Sequence, residues 1–508
     1  MKNNNVTDKE LVQIKYLRDL KEAGYRSKSI KAELRDNLIE KLKNKEQVFQ
    51  GIWGYEETVI PDFERAILSM HNICLLGLRG QAKTKMARLL VELLDDYIPA
   101  IEGSELNDDP LGPISRFGKD ILAELGDQTP IIWIHRQERF TEKLATPDIS
   151  VADLIGDIDP IKAAALKIPY SDERVIHYGL IPRSHRGIFV INELPDLQAR
   201  IQVSLFNILQ EGDIQIRGFK IRLPLDIQFV FTANPEDYTN RGSIVTPLKD
   251  RIGSQIITHY PKSIETGKKI TQQEAQIKDQ QRSKVKLMEL VKDLVEQIAI
   301  EARDSEYIDA KSGVSARLTI TSFENLWSSA ERRTLINGED ETHIRISDFI
   351  SVIPSITGKV ELVYEGEQEG PGIVAYSLVG KAIRNQFIKY FPNPDDLRKK
   401  KENNPYKKII NWFGSGGKLD ILNDLGNEEL RELLGSVPGL KDLVNKYQGQ
   451  LDSHSKTLMM EFALHGLAEY SMLSKKQITS GLQFKDLLSS MLSMPNLDEE
   501  VDDYNESV

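Results

Sequence analysis

The residues at positions 77–84 have the types and spacing of a phosphate-binding loop. They are Gly77, Leu78, Arg79, Gly80, Gln81, Ala82, Lys83 and Thr84. A glycine-rich turn that ends in Lys-Thr at the start of a helix points its backbone N–H groups at a polyphosphate, and the helix dipole assists them. In such a loop we expect Lys83 to contact the β- and γ-phosphates and the Thr84 hydroxyl to ligate Mg²⁺. The sequence therefore first suggests nucleotide binding.

The alternative interpretation of this segment is a plain glycine-rich turn before a helix. One residue bears on the choice, because Ala82 stands where the motif usually has glycine. Alanine is the smallest substitute, but it fits only if the backbone at this position is not held at positive φ. The prediction of a phosphate-binding loop therefore carries a condition on the conformation of Ala82.

A second polar signal follows the apolar strand predicted at 187–191. Chemistry on a nucleotide needs an acidic residue at the end of a buried strand to hold Mg²⁺ through water, and then a glutamate that activates the attacking water. Asn192 and Glu193 occupy these two places. Glu193 suits the base, whereas Asn192 can hydrogen-bond a metal-bound water but adds no negative charge. The alternative is an ordinary solvated strand end.

Three further residues are candidates for the same site. Asn234 ends the next predicted strand and is expected to position the attacking water or contact the γ-phosphate, although Asn-Pro also starts turns. Arg251 is a candidate for offsetting transition-state charge, either in its own subunit or in a neighbour. Arg317 opens a later helix and is a candidate for reporting the nucleotide state. Either arginine taken alone is typical of a protein surface.

The composition is that of an ordinary globular protein. The 508 residues are 40% hydrophobic and 28% charged, and the formal net charge of −11 argues against broad electrostatic binding to nucleic acid. No apolar run is long enough to span a bilayer, and the N-terminus lacks the apolar core of a signal peptide. A single cysteine, Cys74, permits no intramolecular disulfide. We therefore expect a cytoplasmic protein that contacts no membrane.

Apolar runs predict an α/β fold with a parallel sheet. The runs cover residues 73–76, 131–134, 187–193 and 227–235. One helical face is predicted after the loop from Met86, Leu89, Leu90, Leu93, Leu94 and Tyr97. A hairpin is predicted around Gly218 and Phe219, because the residues on either side alternate in polarity.

Five regions are predicted along the chain. Residues 1–50 form an N-terminal helical segment, in which Ile30, Leu34, Leu38 and Leu42 recur at four-residue spacing. Residues 51–262 form the nucleotide-binding domain, and residues 263–340 a helical lid in which Ser315 caps a helix. Residues 341–497 form a mostly helical region of unknown role, and 498–508 an acidic, disordered tail. Past Pro261 the strand pattern stops, apart from a weak signal at 360–364, and the basic run 398–401 is interpreted as a solvated helix end.

The order of these motifs resembles that of the AAA+ ATPases, and within them the branch of the magnesium chelatase ATPase subunit I and the MoxR proteins. The resemblance covers roughly residues 50–335 and includes a segment at 154–159 similar to the helix-2 insert of chelatase subunits. It implies a ring, usually a hexamer, with ATP and Mg²⁺ between subunits. It also implies that Arg251 is the arginine finger in trans, Asn234 sensor 1 and Arg317 sensor 2. Asn192 departs from the family pattern, which has aspartate.

Three functions remain open at this point. The first is an ATP-driven motor that remodels a partner protein, which in the resembling family often has a von Willebrand factor A domain. The second is a transcription activator that remodels RNA polymerase bound to the alternative sigma factor. Such activators carry the loop Gly-Ala-Phe-Thr-Gly-Ala, and this string does not occur here. The third, suggested by Asn192, is an ATP-binding scaffold with weak turnover.

Overall fold

The computed structural model describes residues 12–170, 172–216, 222–235, 243–397 and 404–487. The chain forms two compact units, Met1–Tyr260 and Pro261–Val508. Three predicted features lie outside the described residues: the turn at Gly218 and Phe219, the basic run 398–401, and the acidic tail. The proposed boundary between residues 340 and 341 falls inside the second unit.

The first unit contains eleven named strands within its described residues. They are β1 Ile73–Leu76, β2 Tyr97–Ile101, β3 Ile131–His135, β4 Phe140–Leu144, β5 Gly156–Ile158, β6 Ile176–Tyr178, β7 Gly187–Asn192, β8 Asp213–Gln215, β9 Arg222–Pro224, β10 Ile227–Ala233 and β11 Ser254–Ile257. Five of them form a central sheet in the order β11-β1-β10-β7-β4, and all neighbours in it are parallel. The predicted α/β class with a parallel sheet is confirmed. All five strands end at one edge of the sheet, where ligands bind in open α/β folds.

Alternating side chains of the central strands enter two apolar clusters. Cys74, Phe189 and Phe231 belong to one cluster, whereas Leu75 and Val190 belong to the other. Successive side chains of a strand point to opposite faces, so both faces of this sheet are covered by apolar residues. Burial on both faces explains why β1, β7 and β10 are continuous apolar runs in the sequence.

Two sequence predictions for the first unit are wrong in part. The strand at 131–134 exists as β3, but it pairs antiparallel with β2 outside the central sheet, and its Ile132 side chain is exposed. The helix after the loop ends at Leu89 and is followed by a 3₁₀ turn, Leu90–Leu93. Tyr97 therefore lies in β2 rather than on the helical face, because the chain must turn back to pair with β3.

The helices of the first unit surround these strands. The α-helices are Leu17–Glu22, Ile30–Lys43, Val59–Leu68, Lys83–Leu89, Arg116–Leu125, Val151–Leu154, Pro160–Leu166, Leu180–Arg183, Ala199–Ser204, Phe206–Glu211 and Thr246–Arg251. The predicted helix near residue 34 is confirmed as Ile30–Lys43. Its Ile30, Leu34 and Leu38 side chains are buried, whereas Leu42 is exposed.

The second unit is mostly helical. Its α-helices are Ile264–Glu274, Asp279–Lys284, Glu289–Arg303, Arg317–Asn337, Ile353–Thr357, Tyr364–Glu369, Pro371–Tyr390, Pro394–Leu397, Lys407–Gly414, Asn427–Gly435, Leu440–Gln448 and Ser453–Glu469. The strands β12 Val285–Lys286, β13 Thr342–His343, β14 Leu419–Leu422, β15 Ser474–Ile478 and β16 Gly481–Lys485 also occur, so the prediction that strands stop past Pro261 is wrong. At 360–364 there is only one isolated bridge, from Ile308 to Leu362. Among the described helices of the whole chain, none is long and apolar enough to cross a membrane.

Candidate functional site

The loop 77–84 connects β1 to the helix Lys83–Leu89 at the carboxyl edge of the sheet. Gly77 lies so close to Thr258 that a Cβ atom added there would be 2.0 Å from the Thr258 hydroxyl oxygen. The same hydroxyl donates to the buried side-chain oxygen of Gln81 at 2.6 Å. The Tyr55 hydroxyl donates to the backbone oxygen of Gln81, and the Tyr260 hydroxyl to that of Arg79, both at 2.9 Å. These contacts hold the loop in one conformation.

Ala82 is held at positive φ, contrary to the condition under which alanine was expected to fit the loop. Its φ is 57° and its ψ is 16°, which places it in the left-handed region, and Gly80 also has a positive φ of 72°. A left-handed conformation costs a residue with a Cβ about 1–2 kcal/mol. The loop nevertheless has this conformation, because the surrounding hydrogen bonds determine it. The strain is concentrated immediately before Lys83, which opens the helix.

The structure brings Lys83 and Asn234 together. The Lys83 ammonium donates to the Asn234 side-chain oxygen at 2.6 Å and to the carbonyl oxygen of Leu78 at 2.9 Å. Asn234 directly follows β10, the strand beside β1, and it is buried. Two residues that are 151 positions apart thus meet because parallel neighbouring strands end at the same edge.

Asn192 contacts Thr84 directly and is linked to the backbone of Glu193 through Thr232, to which the sequence analysis assigned no role. The Asn192 side-chain oxygen accepts hydrogen bonds from the Thr84 hydroxyl at 3.4 Å and from the Thr232 hydroxyl at 3.1 Å. The Thr232 hydroxyl oxygen in turn accepts from the backbone N–H of Glu193 at 3.1 Å. Glu193 has a φ of 56°, a second left-handed residue at this edge. Such strain is often concentrated at functional sites.

Glu142 is another residue of this cluster that sequence reasoning missed. Its carboxylate accepts a hydrogen bond from the Asn192 amide at 2.6 Å and forms a two-point ion pair with Arg88, with distances of 2.7 and 3.0 Å. Glu142 lies on β4, whose sequence Phe-Thr-Glu-Lys-Leu has no apolar run. That strand was not predicted, and so its carboxylate could not be placed beside Asn192.

The two candidate arginines lie outside this hydrogen-bonded cluster. Arg251 donates to the Gln210 side chain at 3.0 Å and to the carbonyl oxygen of Pro247 at 2.7 Å, and its guanidinium lies 4.8 Å from the centre of the Phe206 ring. Arg317 belongs to the second unit, where its backbone N–H donates to the Ser315 hydroxyl oxygen at 3.2 Å. The N-cap position of the helix Arg317–Asn337 is Ala316, with no side-chain capping bond, so the prediction that Ser315 caps this helix is wrong by one residue.

The oxygen donors at this edge suit Mg²⁺. Thr84 and Asn192 each present a side-chain oxygen, and these two oxygens are within hydrogen-bonding distance of one another. Among the described residues, no group of three or more His, Cys, Asp or Glu side chains could hold a metal ion. Side-chain oxygens such as those of Thr84 and Asn192 fit Mg²⁺ at nucleotide sites, because this ion prefers oxygen ligands, keeps several waters and takes further ligands from the substrate phosphates. Cys74 lies on β1, and burial raises the pKa of its thiol to about 12, as expected of a structural cysteine.

Parts of the chain are similar in sequence to known proteins. The profile of the Sigma-54 interaction domain matches residues 169–254. The magnesium-chelatase 38 kDa subunit of Cereibacter sphaeroides is 27% identical over 201 residues, which cover 38% of this chain and 53% of the relative. The corresponding subunit of Rhodobacter capsulatus is 25% identical over 222 residues, which cover 43% of this chain and 57% of the relative. These matches, together with the motifs at the sheet edge, support an AAA+ ATPase of the magnesium-chelatase-like branch.

The sequence matches cover only part of this chain and part of each relative. The chain spans about half the length of the curated relatives that it matches. Among solved structures, a complex between subunits BchI and BchD of magnesium chelatase is similar at 18% identity, covering 63% of this chain and 98% of that chain, with a TM-score of 0.33. The relationship to magnesium chelatase is supported by the sequence matches and by the motifs at the sheet edge.

Proposed function

We propose that this AAA+ protein binds ATP at the loop 77–84 and hydrolyses it with Mg²⁺. One observation carries the proposal: a continuous path of hydrogen bonds runs from the Thr84 hydroxyl through Asn192 and Thr232 to the backbone of Glu193. The path links the residue proposed to ligate the metal to the residue proposed to act as base. A plain glycine-rich turn before a helix has no need of such a connection.

The proposed roles follow from the chemistry of each group. The backbone N–H groups of Arg79, Gly80, Gln81 and Ala82 bind phosphate, and the Lys83 ammonium contacts the β- and γ-phosphates. Thr84 ligates Mg²⁺ directly and Asn192 through water, and the bound ion would withdraw charge from the phosphate oxygens.

Glu193 and Asn234 are the residues proposed to act during hydrolysis. Glu193 accepts a proton from the attacking water. The hydrogen bond from its backbone N–H to the Thr232 hydroxyl oxygen positions the main chain from which its side chain extends. Asn234 holds the Lys83 ammonium at the strand edge and orients the water as sensor 1.

The larger function is proposed from the relationship to magnesium chelatase. We infer a cytoplasmic hexameric ring, in which Arg251 reaches the nucleotide of a neighbouring subunit and Arg317 acts as sensor 2. The ring would remodel a partner protein, with a von Willebrand factor A domain protein as the first class to examine. Arg251 supports this role by its position at the end of the helix Thr246–Arg251, outside the cluster of its own subunit.

A transcription activator is the second candidate, because residues 169–254 match the Sigma-54 interaction domain. The missing Gly-Ala-Phe-Thr-Gly-Ala string favours the motor. Binding of the purified protein to RNA polymerase with the alternative sigma factor, in the presence of an ATP analogue, would reverse that preference.

Nucleotide binding by calorimetry tests the proposed site. Lys83→Ala should weaken ATP affinity at least about tenfold, equivalent to about 1.4 kcal/mol, because a charge on the phosphates is lost. Lys85→Ala is the matched control, since Lys85 is on the same helix and donates to the carbonyl oxygen of Gly51 instead. Equal losses in both variants, or none in either, would contradict the assignment of the loop.

A further inference from the structure

The contacts of Asn192 fix the orientation of its amide. Its oxygen accepts from the Thr84 and Thr232 hydroxyls, and its nitrogen donates to the Glu142 carboxylate. A carboxamide accepts only at oxygen and donates only from nitrogen, so the reversed orientation would set the amide oxygen against a carboxylate oxygen at 2.6 Å. Asn192 therefore presents its oxygen to Thr84 and its NH₂ group to Glu142.

Glu142 is held beside Asn192 by the sheet itself. It lies on β4, where it is in register with Val190 of β7, two residues before Asn192. Its side chain is 22% exposed, whereas its ion-pair partner Arg88 is 62% exposed. An exposed arginine is well hydrated and neutralises a neighbouring carboxylate only in part. The negative charge of Glu142 thus remains at this edge of the sheet.

We propose that Glu142 supplies, from the neighbouring strand and through Asn192, the negative charge that the metal-facing position of this chain lacks. The proposal rests on the proposed function of the same site. A carboxylate that accepts from an amide N–H makes the amide oxygen a stronger acceptor, because hydrogen bonds in a chain polarise one another. It also attracts a divalent cation through space. Glu142 is thus a positioning residue that acts on the metal side by way of Asn192.

This arrangement changes the expected effect of restoring the aspartate usual in the family. In Asn192→Asp, the second carboxylate oxygen would face Glu142 at the distance of the present hydrogen bond. Two carboxylates in such contact repel one another, so they would not keep the arrangement that the amide and the carboxylate have now. Asn192→Asp alone should therefore fail to tighten Mg²⁺ binding. The exchange Glu142→Gln with Asn192→Asp keeps one amide and one carboxylate, and should restore the parent behaviour.

The ordinary alternative is that Glu142 matters only as the partner of Arg88. Arg88→Gln separates the two explanations, since it removes the ion pair but leaves the Glu142 carboxylate beside Asn192. If Glu142 acts on the metal side, Arg88→Gln should leave Mg²⁺ binding unchanged or tighten it. If the ion pair itself matters, Arg88→Gln and Glu142→Gln should weaken Mg²⁺ binding equally.

The test measures the Mg²⁺ dependence of ADP binding by calorimetry, so that no turnover is involved. We expect Glu142→Gln to raise the Mg²⁺ midpoint about tenfold, while ADP affinity without metal is not weakened. The exchange variant should return to within about threefold of the parent. Thermal unfolding of each variant checks that it is folded.

The outcomes separate this inference from the proposed function. A parent protein that binds no ADP at any Mg²⁺ concentration would overturn both. A parent with Mg²⁺-dependent binding and a Glu142→Gln variant with the same midpoint would overturn only the role of Glu142. Equal weakening by Arg88→Gln, or a folded exchange variant that does not recover, would overturn it as well.

Discussion

The Lys83 ammonium lies 2.6 Å from the side-chain oxygen of Asn234, across the boundary between the strands β1 and β10. The contact ties the phosphate-binding lysine to the end of the neighbouring strand. Asn234 is buried, and loss of its side chain would remove the contact that joins Lys83 to the neighbouring strand.

Asn234→Ala should therefore affect hydrolysis more than binding. We expect ATP affinity within about threefold of the parent and a maximal rate lower by about tenfold or more, equivalent to about 1.4 kcal/mol in the barrier. Steady-state hydrolysis and calorimetry on the same preparation give both numbers. A variant that loses affinity but keeps its maximal rate would assign Asn234 to uniform binding instead.

The left-handed conformation of Ala82 predicts an unusual response to glycine. Ala82→Gly should leave the free energy of unfolding unchanged or raise it by up to about 1 kcal/mol, because glycine relieves the strain and offsets its own entropic cost. Ala87→Gly, in the buried interior of the following helix, should lower it by about 1 kcal/mol or more. Denaturant unfolding measures both changes. Equal destabilisation by the two substitutions would argue against strain at Ala82.

Arg251 gives a prediction about assembly. If it acts on the nucleotide of a neighbouring subunit, Arg251→Ala should bind ATP normally and hydrolyse it at least about tenfold more slowly. Mixing it with Lys83→Ala subunits should recover part of the activity, because the two lesions can fall at different interfaces of one ring. Mixed rings that form but recover no activity would count against a shared site.

Part of the sheet and of the candidate site could be predicted from the sequence, and part could not. The strands β1, β7 and β10 could be predicted because both of their faces are buried, which makes them continuous apolar runs. The strand β4 could not, since it is at the edge of the sheet and has three consecutive polar residues, Thr-Glu-Lys, between Phe140 and Leu144. Because β4 was not predicted, Glu142 could not be placed beside Asn192 from the sequence.

The conformation of Ala82 was likewise beyond the reach of residue types. Its positive φ depends on contacts from Tyr55, Thr258 and Tyr260 to the loop, and these residues are distant in sequence from positions 77–84. Tertiary contacts of this kind override local preference. The motif residues themselves could be named because each follows an apolar run or starts a helix.

The most direct measurement of the central claim compares ATP binding and ATP hydrolysis in the parent and in Glu193→Gln. We expect the parent to hydrolyse ATP with Mg²⁺, and Glu193→Gln to bind ATP within about threefold of the parent while its rate falls about a hundredfold or more. Glu211→Gln, an exposed glutamate at the end of the helix Phe206–Glu211, should leave both quantities unchanged. A parent that binds ATP without hydrolysing it would contradict the proposed ATPase activity. A Glu193→Gln variant that hydrolyses at the parent rate would contradict the role of Glu193 as base.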